Sequence, residues 1–216
     1  MNKLDIIRKA KSLFMKYNLH GVVQPFSDGL QNGVFMSEMS KWRADHPVKG
    51  YNDFYQEEWD YNRRYLLYEA INKQEALFQN PFDYFEFGVA GGYSFKWWLQ
   101  KNDNAESRFF GFDTFEGLPE KWGAFEKGSM AYAMESLDIQ DSRATLYKGL
   151  FQDTLIPFLE GYDNKNSKLI HIDSDLFSSA LFVMTQLYRF LKPGDILLFD
   201  EFAVPQHEFK AFKIFT

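Results

Sequence analysis

Apolar and polar residues follow two different rhythms along this chain, and the change falls near residue 80. Before it the spacing is helical. Leu4, Ile7, Leu13, Phe14 and Tyr17 recur among charged neighbours and predict an amphipathic helix within residues 1–20. Residues 21–50 carry Gly21, Pro25, Gly29, Gly33, Pro47 and Gly50, and read as loop with short helical pieces. Leu66, Leu67, Ala70, Ile71, Leu77 and Phe78 then recur at helical spacing, predicting a longer helix from about 54 to 79 that Pro81 ends.

Past residue 80 the apolar residues fall into short runs separated by helical stretches. The runs are "FDYFEF" (82–87), "RFFGFD" (108–113), "ATLYK" (144–148), "KLIHID" (168–173) and "DILLFD" (195–200). Between them, Ala180, Met184, Leu187 and Leu191 form one stripe across 178–191, and "KPG" at 192–194 stops that helix. Short buried strands alternating with helices predict an α/β fold, a doubly wound, mostly parallel sheet with helices on both faces. The division expected is an N-terminal helical or lid segment over 1–53 and the α/β domain over 54–216.

Composition narrows the classes. The net charge of −6 comes without any Lys/Arg run, so the electrostatic footprint of nucleic-acid binding is missing. No apolar stretch approaches the roughly 20 residues of a membrane span, and the N-terminus lacks the apolar core of a signal peptide. Cysteine is absent, which removes disulfides, thiolate metal sites and a cysteine nucleophile together. A cytoplasmic protein without membrane or nucleic-acid partner is the expectation.

In an open parallel sheet, ligands bind beyond the carboxyl ends of the strands. There "FEFGVAGGYSFKWW" (85–98) turns from bulky to small residues, as Glu86-x-Gly88-x-x-Gly91-Gly92 followed by Ser94. Glycine at this place lets a ligand approach the backbone and lets the next helix start close to the strand. The second strand ends in Asp113, placed to hydrogen-bond ribose hydroxyls. Ala90 breaks the dinucleotide pattern G-x-G-x-x-G, which speaks against a nucleotide-dependent oxidoreductase. A non-catalytic cofactor-binding protein is the other alternative.

"FDYFEFGVAGGYSFKWW", "FGFDTFEGLPE", "LYKGLFQDTL", "HIDSDLFSS" and "LKPGDILLFDEF", in this order over about 55–212, resemble class I S-adenosylmethionine-dependent methyltransferases, and most closely the macrocin O-methyltransferase family. The resemblance implies a Rossmann-like fold and Mg²⁺-assisted methylation of a hydroxyl on a sugar, glycan or other small-molecule natural product. It implies that Glu86, Gly88, Ala90 and Gly92 line the methionine and ribose part of the cofactor, that Ser94 reaches the methionine carboxylate, and that Asp113 takes the ribose diol. Thr114 and Phe115 would lie along the adenosine, with Gly149 and Phe151 near the adenine. Asp173, Asp200 and Glu201 are the implied metal ligands, with Asp175 the rival of Asp173; Asp173 and Asp200 are the catalytic candidates.

The acids also argue on their own account. Carboxylates gathered with no Lys or Arg among them repel unless a cation sits between them, and hard oxygen ligands suit Mg²⁺. His171, inside the fourth strand, reads as a buried structural histidine; His20, His46 and His207 are weak candidates for a base. Trp42, Tyr51, Phe54, Tyr55 and Trp59 suggest a lid that stacks on an acceptor. No Asn/Asp-Pro-Pro-Tyr/Phe follows the fourth strand, where "DSDLF" stands, which disfavours base N-methylation. The two further strands usual in this fold have no room after residue 201, so the fifth strand is expected to be an edge covered by a longer chain, by the N-terminal segment or by a second subunit, making a homo-oligomer possible.

Overall fold

The computed structural model describes residues 2–51, 54, 60 and 62–216. It divides into two compact units, Met1–His46 and Pro47–Thr216. The first holds α1 (Lys3–Lys16), α2 (His20–Val23) and α3 (Ser27–Asp45), with a 3₁₀ turn at Gln24–Phe26. Asn2 caps α1 by accepting the Asp5 amide at 2.9 Å. None of the residues described in these helices is buried.

The glycine-rich reading of 21–50 is corrected by α3, which runs through Gly29 and Gly33 for 19 residues. Each glycine costs a helix only about 1 kcal/mol against alanine, and Pro25 falls in the preceding turn, where its missing amide is harmless. Among the described residues no helix is long and apolar enough to cross a membrane.

The second unit is the α/β domain. Its strands are β1 (Phe82–Phe87), β2 (Arg108–Asp113), β3 (Ala144–Lys148), β4 (Ser167–Ile172) and β5 (Ile196–Phe199). All pair in parallel, in the order β3-β2-β1-β4-β5. The helices are α4 (Arg63–Gln74), α5 (Tyr93–Lys101), α6 (Phe151–Glu160), α7 (Phe177–Leu187) and α8 (Glu208–Phe215). The five expected strands are all present, within a residue of the expected ends. Of the longer helix expected over 54–79, α4 is formed; it stops at Gln74, and residues 75–79 are turn rather than helix.

Every residue of β1 is buried, so its apolar run hides the alternation. Phe82 and Tyr84 join Tyr68 of α4, Phe95 and Trp98 of α5, and Phe109 and Leu169 in one core layer. Phe85 and Phe87 join Phe110, Phe112, Leu155, Ile170, Ile172, Val183 and Met184 in the other. Strand order reverses between β1 and β4, and the carboxyl ends of those two strands carry the site.

Candidate functional site

Gly88 follows β1 with a φ of +101°, and a Cβ there would lie 1.7 Å from the carbonyl oxygen of Asp173. The expectation that this residue is small for a ligand is therefore sharpened: the neighbouring strand end excludes a side chain first. Ala90 takes a left-handed φ of +45°. Its amide thereby points at Asp113, donating to Oδ2 at 2.8 Å, while the Phe115 amide donates to Oδ1 at 2.6 Å. These two bonds fix the Asp113 carboxylate and leave further lone pairs for a ligand.

A cleft of about 280 Å³ opens beside this carboxylate, lined by Gly88, Ala90, Asp113, Thr114, Leu118, Met130, Leu150, Phe151 and Asp173 among others. Phe115 turns away into the core and is only 5 % exposed. Gly149 lies one residue before the lining, its amide bonded to the Asp113 carbonyl at 2.9 Å. Ser94 and Glu86 line a second, larger cleft of about 640 Å³. Ser94 is buried and its Oγ meets the Tyr68 hydroxyl at 3.0 Å. Gly92 caps α5 with a φ of +72°, and a Cβ there would press on Leu137.

The larger cleft holds the acids. Asp173, Asp175, Asp200 and Glu201 all line it, together with Arg63 and Arg64. Here the expectation of acids without a basic residue fails: Arg64 of α4 places Nη2 3.1 Å from Asp200 Oδ2 and Nη1 3.9 Å from Asp173 Oδ2. The guanidinium comes from a helix more than a hundred residues upstream, so no spacing near the acids announces it.

Burial pushes Asp173 well above the ordinary carboxylate range, and the charge of Asp200 adds to it. Burial also raises Asp200, against which Arg64 pulls. Asp175 is pushed up to about 7 by burial and then by Glu201. Clustering of like charges in a partly dry site has this result.

His171 stands fully buried between the acids and β1. Burial, and then Arg64, lowers its pKa to about 3, so the imidazole is neutral. The Tyr84 hydroxyl donates a hydrogen bond to the buried Glu86 and lies 2.9 Å from His171 Nδ1. With Nδ1 as the donor in that contact, the neutral ring would carry its lone pair on Nε2. Among the described residues Nε2 has no hydrogen-bond partner, and it faces Asp200 Oδ1 at 3.9 Å. One donor atom each of His171, Asp173 and Asp200 lies within 4.8 Å of the others. Glu201 lines the cleft but is not in this group, whose third member is the histidine read as structural.

Aromatic rings wall the same cleft. Trp122 and Phe125 stack at 5.4 Å, with Tyr93, Tyr132 and Phe54 also on the lining. Of the expected lid residues, Tyr55 and Trp59 lie outside the described residues. Trp42 stacks on His46 at 4.7 Å within the first unit, and Tyr51 is exposed. His20 belongs to α2, and His207 meets Trp122 edge-on at 6.1 Å. Tyr84 was within reach of sequence reasoning, since it shares a strand face with Glu86 two residues on. Arg64, Leu118 and Met130 offered no comparable signal.

Residues 85–202 match a family model described as a methyltransferase domain. Among solved structures, calicheamicin methyltransferase CalS11 is similar at 20% identity, covering 84% of this chain and 83% of its own, with a TM-score of 0.56. The O-methyltransferase NovP is similar at 20% identity over 70% of this chain and 68% of its own, with a TM-score of 0.51. At such identities the likeness is one of fold. No curated protein matches the chain at a significant level.

Proposed function

The chain belongs to the methyltransferase domain family, and from that premise we propose that it is an S-adenosylmethionine-dependent O-methyltransferase of the macrocin type, acting on a hydroxyl of a sugar, glycan or other small-molecule natural product. The observation that carries this reading is the junction of the two clefts. They share Ala90, Met130, Asp173 and Asp175, so a cofactor held at Asp113 has its reacting end beside the acids.

The residues present suit the cofactor. Asp113 offers a fixed carboxylate to a ribose diol, and Leu118, Met130 and Leu150 offer an apolar slot to an adenine. When bound, S-adenosylmethionine supplies an activated methyl group on a sulfonium, so the protein has only to orient and deprotonate the acceptor oxygen. Asp173 is the proton acceptor: it lines both clefts and so stands where the cofactor and the acceptor oxygen would meet. Arg64 steadies Asp200 beside it. The ring wall of Trp122 and Phe125 suits the apolar face of a sugar, and CalS11, described as a TDP-rhamnose 3′-O-methyltransferase, acts on a substrate of that kind.

The residues also suit a divalent cation, though not the set expected. Asp173, Asp200 and the bare Nε2 of His171 would hold it, and it would lower the pKa of the acceptor hydroxyl. Arg64 shares the Asp200 carboxylate from its other oxygen. A nitrogen donor suits Mn²⁺ or Fe²⁺ better than Mg²⁺, so both Mg²⁺ and Mn²⁺ belong in the test.

Calorimetric titration of S-adenosylmethionine and S-adenosylhomocysteine, with and without each ion, tests the reading on the wild type, Asp113→Ala and Asp200→Ala. A panel of hydroxylated sugars and nucleotide sugars then screens for transfer of labelled methyl. Absence of any cofactor binding overturns the proposal. Binding indifferent to both ions removes the metal and keeps the methyl transfer.

A further inference from the structure

Glu208 stands at the first turn of α8 with its side chain fully buried, although it lines neither cleft. Its Oε2 accepts the amide of Glu201 at 2.9 Å and its Oε1 that of Ser174 at 3.3 Å. These two amides directly follow Asp200 and Asp173. One residue earlier, the sheet ladder still holds both strands: the Asp173 amide bonds to the Phe87 carbonyl at 2.9 Å and the Asp200 amide to that of Ile172 at 3.0 Å. Past those bonds the two strands part into separate loops. The next amide on each side is held by one carboxylate from a third element.

We propose that Glu208 is a positioning residue, a clasp that fixes the spacing of Asp173 and Asp200 by gripping the peptide after each. The proposal rests on the role given to those acids above. A carboxylate is the side chain this task requires, because it presents two acceptor oxygens to two donors. Glutamine would present one oxygen and turn an amine toward the other amide. The choice is otherwise a poor one. Burial disfavours the ionised form of Glu208, the two amide bonds oppose that effect, and Asp200 and Asp175 add like charge nearby. A buried acid placed beside other acids is retained for geometry that a neutral residue does not supply.

The test compares Glu208→Gln and Glu208→Asp with wild type in three measurements: site-resolved amide hydrogen exchange with S-adenosylhomocysteine bound, the affinity for S-adenosylhomocysteine, and kcat and KM with an acceptor that turns over in the panel above. Ser174 and Glu201 are expected to exchange at least about tenfold faster in both variants, since each loses a hydrogen bond. Affinity for S-adenosylhomocysteine should stay within about twofold, because Asp113 is held by other amides. A misplacement on the order of 1 Å lowers rates by about 10²-fold, so kcat should fall by about 10- to 100-fold with KM little changed.

Glu208→Asp keeps the charge and withdraws the oxygens by one carbon; wild-type behaviour of this variant would show that charge and not reach matters, and overturns the proposal. Unchanged exchange at both amides overturns it too, as does freed exchange with unchanged kcat. A general loss of protection with melting temperature and cofactor affinity falling together makes Glu208 a structural residue only, which also overturns it. If no acceptor turns over and no cofactor binds, the proposed function falls, while exchange rates measured on the ligand-free protein still decide whether the clasp exists.

Discussion

The two ends of the same sheet treat charge in opposite ways. At the amino ends of the strands, acids and bases are matched. Asp83, fully buried, accepts from Arg108 Nε at 2.9 Å, Arg108 Nη2 at 2.5 Å, the Tyr162 hydroxyl at 2.5 Å and the Asn166 amide at 3.0 Å. Buried Lys168 pairs with Asp195 at 2.9 Å, and Asp195 also takes the amides of Lys168 and Lys192. At the carboxyl ends, Glu86, Asp173, Asp175, Asp200, Glu201 and Glu208 gather, and Arg64 bridges Asp173 and Asp200. Each of these acids is pushed upward in pKa, burial being the first cause. One end is settled within the chain. The other holds unbalanced charge, which is costly to folding and useful to a ligand-binding site.

The sharpest way to break this contrast is Asp83→Ala. It takes the shared acceptor from the half-buried Arg108 guanidinium and Tyr162 hydroxyl, and leaving such polar groups unsatisfied costs about 3 kcal/mol. Urea unfolding should show that loss, with cofactor affinity in the folded fraction unchanged. Asp113→Ala should do the reverse. It is expected to weaken S-adenosylhomocysteine binding by about 100-fold, the loss of about 3 kcal/mol in charge-assisted hydrogen bonds, with a smaller effect on unfolding.

Acid titration reads the difference without mutation. In the unfolded chain these carboxyls titrate near pH 4, whereas Asp175 in the fold is pushed up to about 7. Between those values the folded state holds more protons than the unfolded one, so stability is greatest below the range and falls as pH rises through it. The melting temperature should be several degrees lower at pH 7.5 than at pH 5, and Asp175→Asn should flatten the slope. The smallest effect marks the baseline. Lys121 and Glu126 pair on the surface with both side chains mostly exposed, and Lys121→Ala should change stability by no more than about 0.5 kcal/mol.

The difference between the ends also explains what the sequence disclosed. Strands β1 to β5 were legible because apolar runs of four to six residues between turn residues have few other readings. Asp113, Asp173 and Asp200 were legible because a strand end is a place that pattern can locate. Their neighbours were not. Arg64 comes from α4 and Glu208 from α8, so each reaches the site through tertiary packing that has no local sequence signature. The bare nitrogen of His171 was hidden for another reason. Whether a buried histidine is satisfied depends on which way Tyr84 gives its proton, and that is set by Glu86. The helix α3 was missed because glycine is a strong signal in short windows and a weak one across 19 residues.

The surplus of acid at the carboxyl ends has a consequence for the direction of traffic through the proposed reaction. The methyl donor carries a positive sulfonium, and the thioether left after transfer is neutral at sulfur. A pocket edged by Asp173, Asp175 and Glu201 attracts the first and has no such hold on the second. The same carboxylates that burden the fold thus favour entry of fresh donor over retention of spent donor. Added salt, which screens that attraction, should narrow the gap in affinity between the two.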